Sequence, residues 1–119
     1  MRVRDLAIRK SLEIIDGVDL GTFTVDVLLE NCPASKRTLE YAFYEHFGTS
    51  PANFIKSLRL AATRANLRQA DSGPQSVSEI ATKFGFWHLS QFAADYNKLF
   101  GELPSATLQQ SKKPILLSD

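Results

Sequence analysis

The chain has 119 residues, of which 44% are hydrophobic, and its formal net charge is +1 at pH 7. This length suits one domain or two very small ones, and the near-neutral total gives no whole-chain signal for nucleic-acid or membrane binding. The single cysteine, Cys32, excludes an internal disulfide framework and a cysteine-rich zinc site, and it suits a reducing cytoplasm. No apolar run reaches the roughly 18 residues that a membrane span needs.

Helical signals dominate the first half of the chain. Each predicted helix is bounded by residues that cap or break helices. In chain order these are Gly17, Pro33, Ser35, Gly48 and the pair Ser50-Pro51. They delimit three helices within residues 1–50, of which the second covers 25–31. Leu39, Phe43 and Phe47 recur every four residues in the third helix, and we predict that they point inward.

Four more helices are predicted in the second half. Their starts are Ser50-Pro51, the capping-box sequence Ser76-Val77-Ser78-Glu79, residue 88 and Pro104. The fourth helix runs to about Gln69 and precedes the loop sequence DSGPQ. Residues 112–119 are predicted to form a disordered tail. Because no segment alternates as a strand does, the predicted fold class is all-α with seven helices.

Two segments of the sequence repeat each other at an offset of 53 residues. HFGTSPANFI and LFGELPSATL share Phe-Gly-x-x-Pro, and the same offset carries Leu39 to Phe92 and Phe43 to Tyr96. Each copy follows a short helix and a tight turn, and the second turn is one residue longer. A short helix, a turn and a second helix describe a helix-turn-helix, so the repeat predicts two such units joined by the fourth helix.

The turn residues fit this interpretation best in the second copy. Ala81 and Gly85 stand four apart, where close helix crossing and a sharp turn need small residues, whereas Leu29 and Pro33 hold these places in the first copy. A joining helix of about 19 residues spans about 28 Å. Adjacent major-groove faces on one side of B-DNA lie about 34 Å apart. One chain could therefore offer two recognition helices to successive turns of DNA.

Residues from about 3 to 109 resemble the C-terminal DNA-binding domain of the AraC/XylS family of bacterial transcription regulators. The matching segments are ASKRTLEYAFYEHFGTSPANFIKSLRLAATRANL and VSEIATKFGFWHLSQFAADYNKLFGELPSATL. The second carries the signature residues Ile80-Ala81, Gly85-Phe86, Ser90-Gln91-Phe92, Tyr96, Phe100-Gly101 and Pro104. Its form looks most like the branch that includes ethanolamine-operon regulators.

The resemblance implies a homeodomain-like pair of helix-turn-helix subdomains, at residues 1–50 and 71–111, joined by a linker helix at 51–70. It implies that the two recognition helices, at about 35–47 and 88–100, enter successive major grooves of double-stranded promoter DNA. RNA polymerase is a further expected partner. Full-length family members commonly carry a sensing or dimerisation domain N-terminal to this module, which is expected to be missing here.

In the family pattern, the base-reading positions of the third helix fall on Arg37, Glu40 and Tyr41. Arg37 suits guanine, Glu40 suits a cytosine amine, and Tyr41 suits a thymine methyl group or a phosphate. Lys36 and Tyr44 are the expected phosphate contacts. Residues 34–70 carry six basic and two acidic side chains, so positive charge is concentrated in this part of the chain.

In the sixth helix we predict a buried side and an opposite DNA side. The predicted buried residues are Phe92, Tyr96, Leu99 and Phe100. The expected base contacts are His88, Ser90, Gln91 and Ala94, and the expected phosphate contact is Lys98. Gln91 suits adenine, but Ala94 is short and Asp95 adds negative charge nearby. The second unit is therefore expected to read less sequence than the first.

Other residues of note have less specific interpretations. Arg59, Arg64 and Arg68 of the joining helix are expected to pair either with acids of other helices or with phosphates. His46 is predicted to be a partly buried structural residue at the edge of the third-helix core. Cys32 is predicted to be buried filler.

Chemistry beyond binding has little support in the sequence. His46 and His88 are 42 residues apart, which gives no metal-ligand spacing, and the glycines are isolated helix stops rather than a phosphate loop. We therefore expect no enzyme activity, no cofactor and no small-molecule ligand. The alternative to DNA binding is a helical protein-interaction module, such as an RNA polymerase contact or an anti-activator, without DNA specificity of its own.

Overall fold

The computed structural model describes residues 2–70 and 75–111, and in these ranges it contains seven α-helices and no strand. The helices are α1 (Val3–Asp16), α2 (Val25–Asn31), α3 (Lys36–Phe47), α4 (Pro51–Gln69), α5 (Val77–Lys83), α6 (Leu89–Phe100) and α7 (Pro104–Ser111). The all-α prediction is confirmed. No helix within these ranges is long and apolar enough to cross a membrane. The predicted tail, and most of the predicted DSGPQ loop, lie outside the described residues.

The predicted caps of α3 and α4 are present. The Ser35 hydroxyl accepts a hydrogen bond from the backbone N–H of Thr38 at 3.1 Å, and Ser50 accepts one from Asn53 at 3.1 Å. Each bond satisfies a free N–H group of the first helical turn. At the other end of α3, Gly48 has φ of 69°, a left-handed conformation that glycine adopts without steric strain.

The capping box at the start of α5 is also confirmed. The backbone N–H of Glu79 donates to the Ser76 hydroxyl at 3.2 Å, and the backbone N–H of Ser76 donates to the Glu79 carboxylate at 3.0 Å. Gly85, in the turn after α5, has φ of 90°, so the turn uses a conformation that side chains rarely tolerate. The turns therefore form where the sequence predicts them.

The chain divides into two compact units, Met1–Leu58 and Arg59–Asp119, and the division falls within α4. The first unit folds around one apolar core. Its buried members are Ala7, Ile8, Phe23, Leu28, Cys32, Leu39, Ala42, Phe43 and Ile55. Leu39, Phe43 and Cys32 are buried as predicted. The inward prediction for Phe47 is only partly right, because this ring packs on Phe54 with centroids 4.6 Å apart yet remains 39% exposed.

The second unit has its own core. Its buried members are Leu60, Leu67, Ala70, Ile80, Ala81, Phe92, Tyr96 and Leu108. Phe92 and Tyr96 are buried and Phe100 is half-buried, as predicted. The prediction for Leu99 is wrong, since this side chain is 51% exposed. Seven residues advance about 700° around a helix, so Leu99 lies within about 20° of Phe92, and its exposure shows that the second core does not cover this side of α6 at its last turn.

The repeat extends further than the sequence motifs indicate. At an offset of 52 residues, α2 and α5 both begin at a valine, and the fully buried Leu28 matches the fully buried Ile80. The same offset matches Ser11 of α1 to Thr63 of α4, and both are buried hydroxyls that donate to the carbonyl four residues earlier at 2.7 Å. The second part of α4 therefore holds the place in the second unit that α1 holds in the first.

Candidate nucleic-acid interface

The predicted contact residues of α3 share one exposed face. They are Lys36, Arg37, Glu40, Tyr41 and Tyr44. The opposite face buries Leu39 and Phe43 in the first core. Two large phenol rings thus stay on the surface, Tyr41 at 47% and Tyr44 at 58% exposure, although tyrosine readily fills a core. The core fixes which side of α3 is turned outward, and this side carries polar and aromatic groups.

Tyr41 lies between arginines of two helices. The Arg37 guanidinium lies 5.5 Å from the centre of the Tyr41 ring and donates to its hydroxyl at 3.3 Å. The Arg4 guanidinium of α1 lies 5.3 Å from the same ring. Two guanidinium groups therefore flank an exposed aromatic ring, and the Arg4 group also pairs with Glu45 at 3.7 Å. Sequence reasoning missed Arg4, because only the packing of α1 on α3 brings it to Tyr41.

An ion-pair cluster joins the start of α1 to the end of α3. Arg2 contacts Asp5 and Glu45, each at 3.2 Å, and His46 Nε2 lies 3.0 Å from the Asp5 carboxylate. The hydrogen bond from Arg2 lowers the pKa of Asp5; partial burial opposes this, and the hydrogen bond with His46 adds to it. His46 is thus a surface residue engaged electrostatically, with 34% of its side chain exposed, rather than part of the core edge.

The same cluster is the one place among the described residues where metal-ligating atoms gather. Ligand atoms of Asp5, Glu45 and His46 lie within 4.8 Å of one another. The spacing of histidines along the sequence gave no sign of this group, since Asp5 and His46 are far apart in the chain. Because Arg2 already pairs with both carboxylates, the arrangement is that of an ion-pair network.

The predicted contact residues of α6 are also exposed. They are His88, Ser90, Gln91, Ala94 and Lys98. Gln91 donates from its side-chain amide to the Asp95 carboxylate at 3.0 Å, one turn further along the helix. That contact uses one of the two N–H groups of the amide and places a carboxylate beside it, whereas reading an adenine takes one N–H, donated to N7, and the carbonyl, which accepts from N6. The Gln91–Asp95 contact is therefore a structural reason to expect that this face reads less DNA sequence than the face of α3.

The arginines of α4 differ in their surroundings. Arg64 is half-buried in the second unit, where its guanidinium lies 4.8 Å from the centre of the Phe100 ring. Arg59 is also half-buried, and this burial lowers the pKa of its guanidinium. Arg68 is exposed. The sequence predicted an acid or a phosphate as the partner of Arg64, and it did not predict the aromatic ring of the second core on which Arg64 packs.

A groove runs beside the recognition helix in each unit, and the two grooves occupy equivalent places in the repeat. The first is lined by Val25, Asp26, Leu29, Lys36, Leu39, Glu40, Ser50, Pro51 and Ala52. The second is lined by Val77, Ser78, Leu89, Phe92, Ala93, Leu103, Pro104 and Ser105. Three polar side chains, Lys36, Glu40 and Ser50, are replaced by Leu89, Ala93 and Leu103. The charged groove of the first unit thus corresponds to an apolar groove in the second.

Comparison with known proteins agrees with this architecture. Residues 30–110 match the model of a family described as a helix-turn-helix domain. A crystal structure of a probable AraC family transcriptional regulator from Rhodopseudomonas palustris CGA009 superposes with a TM-score of 0.79, at 34% sequence identity, covering 90% of this chain and 98% of that one. The chain belongs to the AraC family. The family assignment made from the sequence is confirmed.

Curated AraC-type relatives are longer than this chain. The XylDLEGF operon transcriptional activator of Pseudomonas putida is 41% identical over 92 residues, which are 77% of this chain and 29% of that protein. The probable thc operon regulatory protein of Rhodococcus erythropolis is 31% identical over 102 residues, or 86% of this chain and 31% of that protein. The chain thus spans less than a third of the length of these relatives.

Proposed function

We propose that this chain binds double-stranded promoter DNA sequence-specifically, as the DNA-binding module of a bacterial transcription regulator. One observation carries the proposal: in each helix-turn-helix unit the second helix buries an apolar face and presents an exposed polar face at its start. The N-terminal residues of a recognition helix are those that contact base edges in the major groove. Membership in the AraC family supports the same function.

In the first unit, α3 would enter one major groove. Arg37 would bond bidentately to a guanine, Glu40 would accept from a cytosine amine, and Tyr41 would contact a thymine methyl group. Lys36 and Tyr44 would bind phosphates and set the orientation of the helix. The Arg37 guanidinium beside Tyr41 supports this assignment, because it places positive charge where a polyanion would approach, whereas Arg4 also pairs with Glu45.

In the second unit, α6 would enter the next major groove along the duplex. The proposed base contacts are His88, Ser90, Gln91 and Ala94, and the proposed phosphate contact is Lys98. To bond to adenine, the Gln91 amide would present its carbonyl and one N–H to the base with the Asp95 carboxylate close beside it. We therefore propose that α6 contributes less affinity and less sequence discrimination than α3.

Partners other than DNA belong to the same proposal. The longer relatives include proteins described as operon activators, which supports RNA polymerase as a partner and the cytoplasm as the location. A sensing or dimerisation domain would accompany this module in a full-length regulator. These partners would add regulation to a module that makes the DNA contacts itself.

The experiment that tests this function is a salt titration of binding to a promoter fragment, followed by the fluorescence anisotropy of labelled DNA. The two proposed lysine–phosphate contacts, Lys36 and Lys98, predict that log K falls against log salt concentration with a slope of about −2 or steeper. Excess unrelated DNA should compete poorly at every salt concentration. Binding that is absent at about 50 mM salt, or indifferent to sequence, would contradict the proposal and favour a protein-interaction module.

A further inference from the structure

Among the residues that the structure describes, Trp87 is the most exposed large apolar side chain of the second unit. Its residue is 74% exposed, although its neighbours are engaged: Phe86 packs on Phe92 with ring centroids 4.7 Å apart, and Lys83 lies 5.7 Å from the centre of the Phe84 ring. Tryptophan has one of the largest apolar surfaces of any side chain, and leaving it in water is unfavourable. The core of the second unit does not bury the Trp87 side chain, so its exposure needs another explanation.

The internal repeat shows that the fold does not require this side chain. At the offset of 53 residues, Trp87 matches Ala34, which is half-buried against the first core just before α3. The first unit builds its turn, one residue shorter, and the helix that follows with a single methyl group at this place. The indole is therefore an addition specific to the second unit, at the end of the turn that leads into α6.

The location of Trp87 places it at the proposed DNA surface. It directly precedes His88, the N-cap residue of α6, and the first turn of α6 carries Ser90 and Gln91. Residues 80–94 contain no acidic side chain, and the next acid along α6, Asp95, lies one turn beyond Gln91. The indole N–H is a hydrogen-bond donor and cannot accept, which suits a phosphate oxygen.

We propose that Trp87 contacts the DNA backbone beside the groove that α6 enters. The ring would pack on a deoxyribose, and the indole N–H would donate to the adjoining phosphate. This inference rests on the proposed function and adds a residue to it. It also gives α6 a means of holding DNA that does not depend on reading bases, which suits a helix whose Gln91 is engaged with Asp95.

Trp87 is the only tryptophan of the chain, so its emission is an unlabelled reporter of this one site. The test uses the full chain and a duplex that carries its binding site, with the DNA labelled for anisotropy. We expect DNA to reduce quenching of the tryptophan by acrylamide at least about twofold, with the same midpoint as the anisotropy change. Such protection would place the indole in the interface.

Variants give the second arm of the test. Trp87→Ala should weaken binding about tenfold, and Trp87→Phe, which keeps a ring but loses the N–H, about threefold. Neither should change the salt slope, because no cationic group is removed, whereas Lys98→Ala should reduce the slope by about 0.9. Leu99→Ala removes another exposed apolar side chain, near the far end of α6, and should change affinity less than twofold.

Three results would overturn the inference, and they differ in whether the proposed function fails with it. If the wild-type chain binds DNA but acrylamide quenching stays unchanged, or Trp87→Ala binds as tightly as Leu99→Ala does, Trp87 is not a DNA contact and the proposed function stands. If the wild-type chain binds no DNA at about 50 mM salt, both the inference and the proposed function fail. Thermal unfolding of each variant, expected within a few degrees of wild type, excludes misfolding as the cause of lost binding.

Discussion

The two helix-turn-helix units have equivalent interiors and different surfaces. Leu39 matches Phe92 and Phe43 matches Tyr96 in the buried cores, so both recognition helices turn the same face inward. The exposed positions diverge, since the groove beside α3 is lined by charged groups and the groove beside α6 by leucine and alanine. Packing constrains only the inner face, and this leaves the outer face free to acquire different binding chemistry.

The units also differ at one internal junction, where the recognition helix meets the helix that follows it. In the first unit the Phe43 ring meets Phe54 edge-on, with centroids 5.3 Å apart. In the second unit the equivalent Tyr96 and Thr107 share a hydrogen bond at 2.7 Å, and Thr107 also donates to Glu102. Aromatic packing stabilises the first junction and side-chain hydrogen bonds stabilise the second, so equivalent helix junctions depend on different interactions.

The largest expected effect concerns the apolar junction. Phe43→Ala would leave a cavity in the first core and lower the free energy of unfolding by about 3–5 kcal/mol. Chemical denaturation with circular dichroism would measure it. Tyr44→Ala, one position along on the exposed face, is the matched control and should change stability by less than about 0.5 kcal/mol. Similar losses in the two variants would mean that the inner and outer faces of α3 are assigned wrongly.

The next largest effect is expected on DNA affinity, and it compares the exposed faces of α3 and α6 directly. Arg37→Ala should weaken specific DNA binding by about 10–100-fold, because a bidentate base contact contributes roughly 1–3 kcal/mol. Gln91→Ala should weaken it only a few-fold, since the Gln91 amide is engaged with Asp95. Anisotropy titrations of both variants on one duplex would measure the ratio of the two losses in affinity. A larger loss for Gln91→Ala would reverse the proposed ranking of the two units.

Structural features that depend on a few neighbouring residues could be predicted from the sequence, whereas features that depend on long-range packing could not. Caps and helix ends at Ser35, Gly48 and Ser76 depend on a few neighbouring residues, so their positions were predictable from the chain alone. The groups around Tyr41 were not, because α1 supplies Arg4 through long-range packing. The exposure of Leu99 was missed for a similar reason, since helical spacing gives a side of the helix but not the width of the surface that its neighbours cover.

A smaller effect is expected at the polar junction. Tyr96→Phe would remove the hydroxyl that pairs with Thr107 and should lower stability by about 1–2 kcal/mol. Burial raises the pKa of the Tyr96 phenol above 10.0, so the neutral form is favoured in the folded state. Stability from this group is therefore fully present below about pH 10 and is lost as the pH rises toward the folded pKa.

Denaturation at pH 8 to 11 would test this point. The wild type should lose stability more steeply than Tyr96→Phe above pH 10. Phe43→Tyr serves as the reciprocal variant, because it adds a hydroxyl where Phe54 offers no acceptor, and it should destabilise the first unit. Parallel pH profiles of stability for wild type and Tyr96→Phe would show that ionisation of the Tyr96 phenol does not cause the loss of stability.

The smallest effect is expected at the surface ion pairs that join α1 to α3. Asp5→Asn should lower the melting temperature by at most a few degrees, because exposed pairs contribute little, and the difference should shrink at 1 M salt. Since the pKa of Asp5 is lowered, its contribution is present above its ordinary value of 3.8 and is lost as the pH falls below it. A difference that persists at pH 2 would contradict an electrostatic origin.

The most direct test of two unequal DNA-reading units is selection of binding sites from random DNA by the full chain. The account predicts two short half-motifs about ten base pairs apart, with more strongly constrained bases in the half that Arg37→Ala disturbs. Repeating the selection with Arg37→Ala should relax that half alone. Enrichment of a single half-motif, or of no motif, would contradict the claim that both recognition helices read DNA.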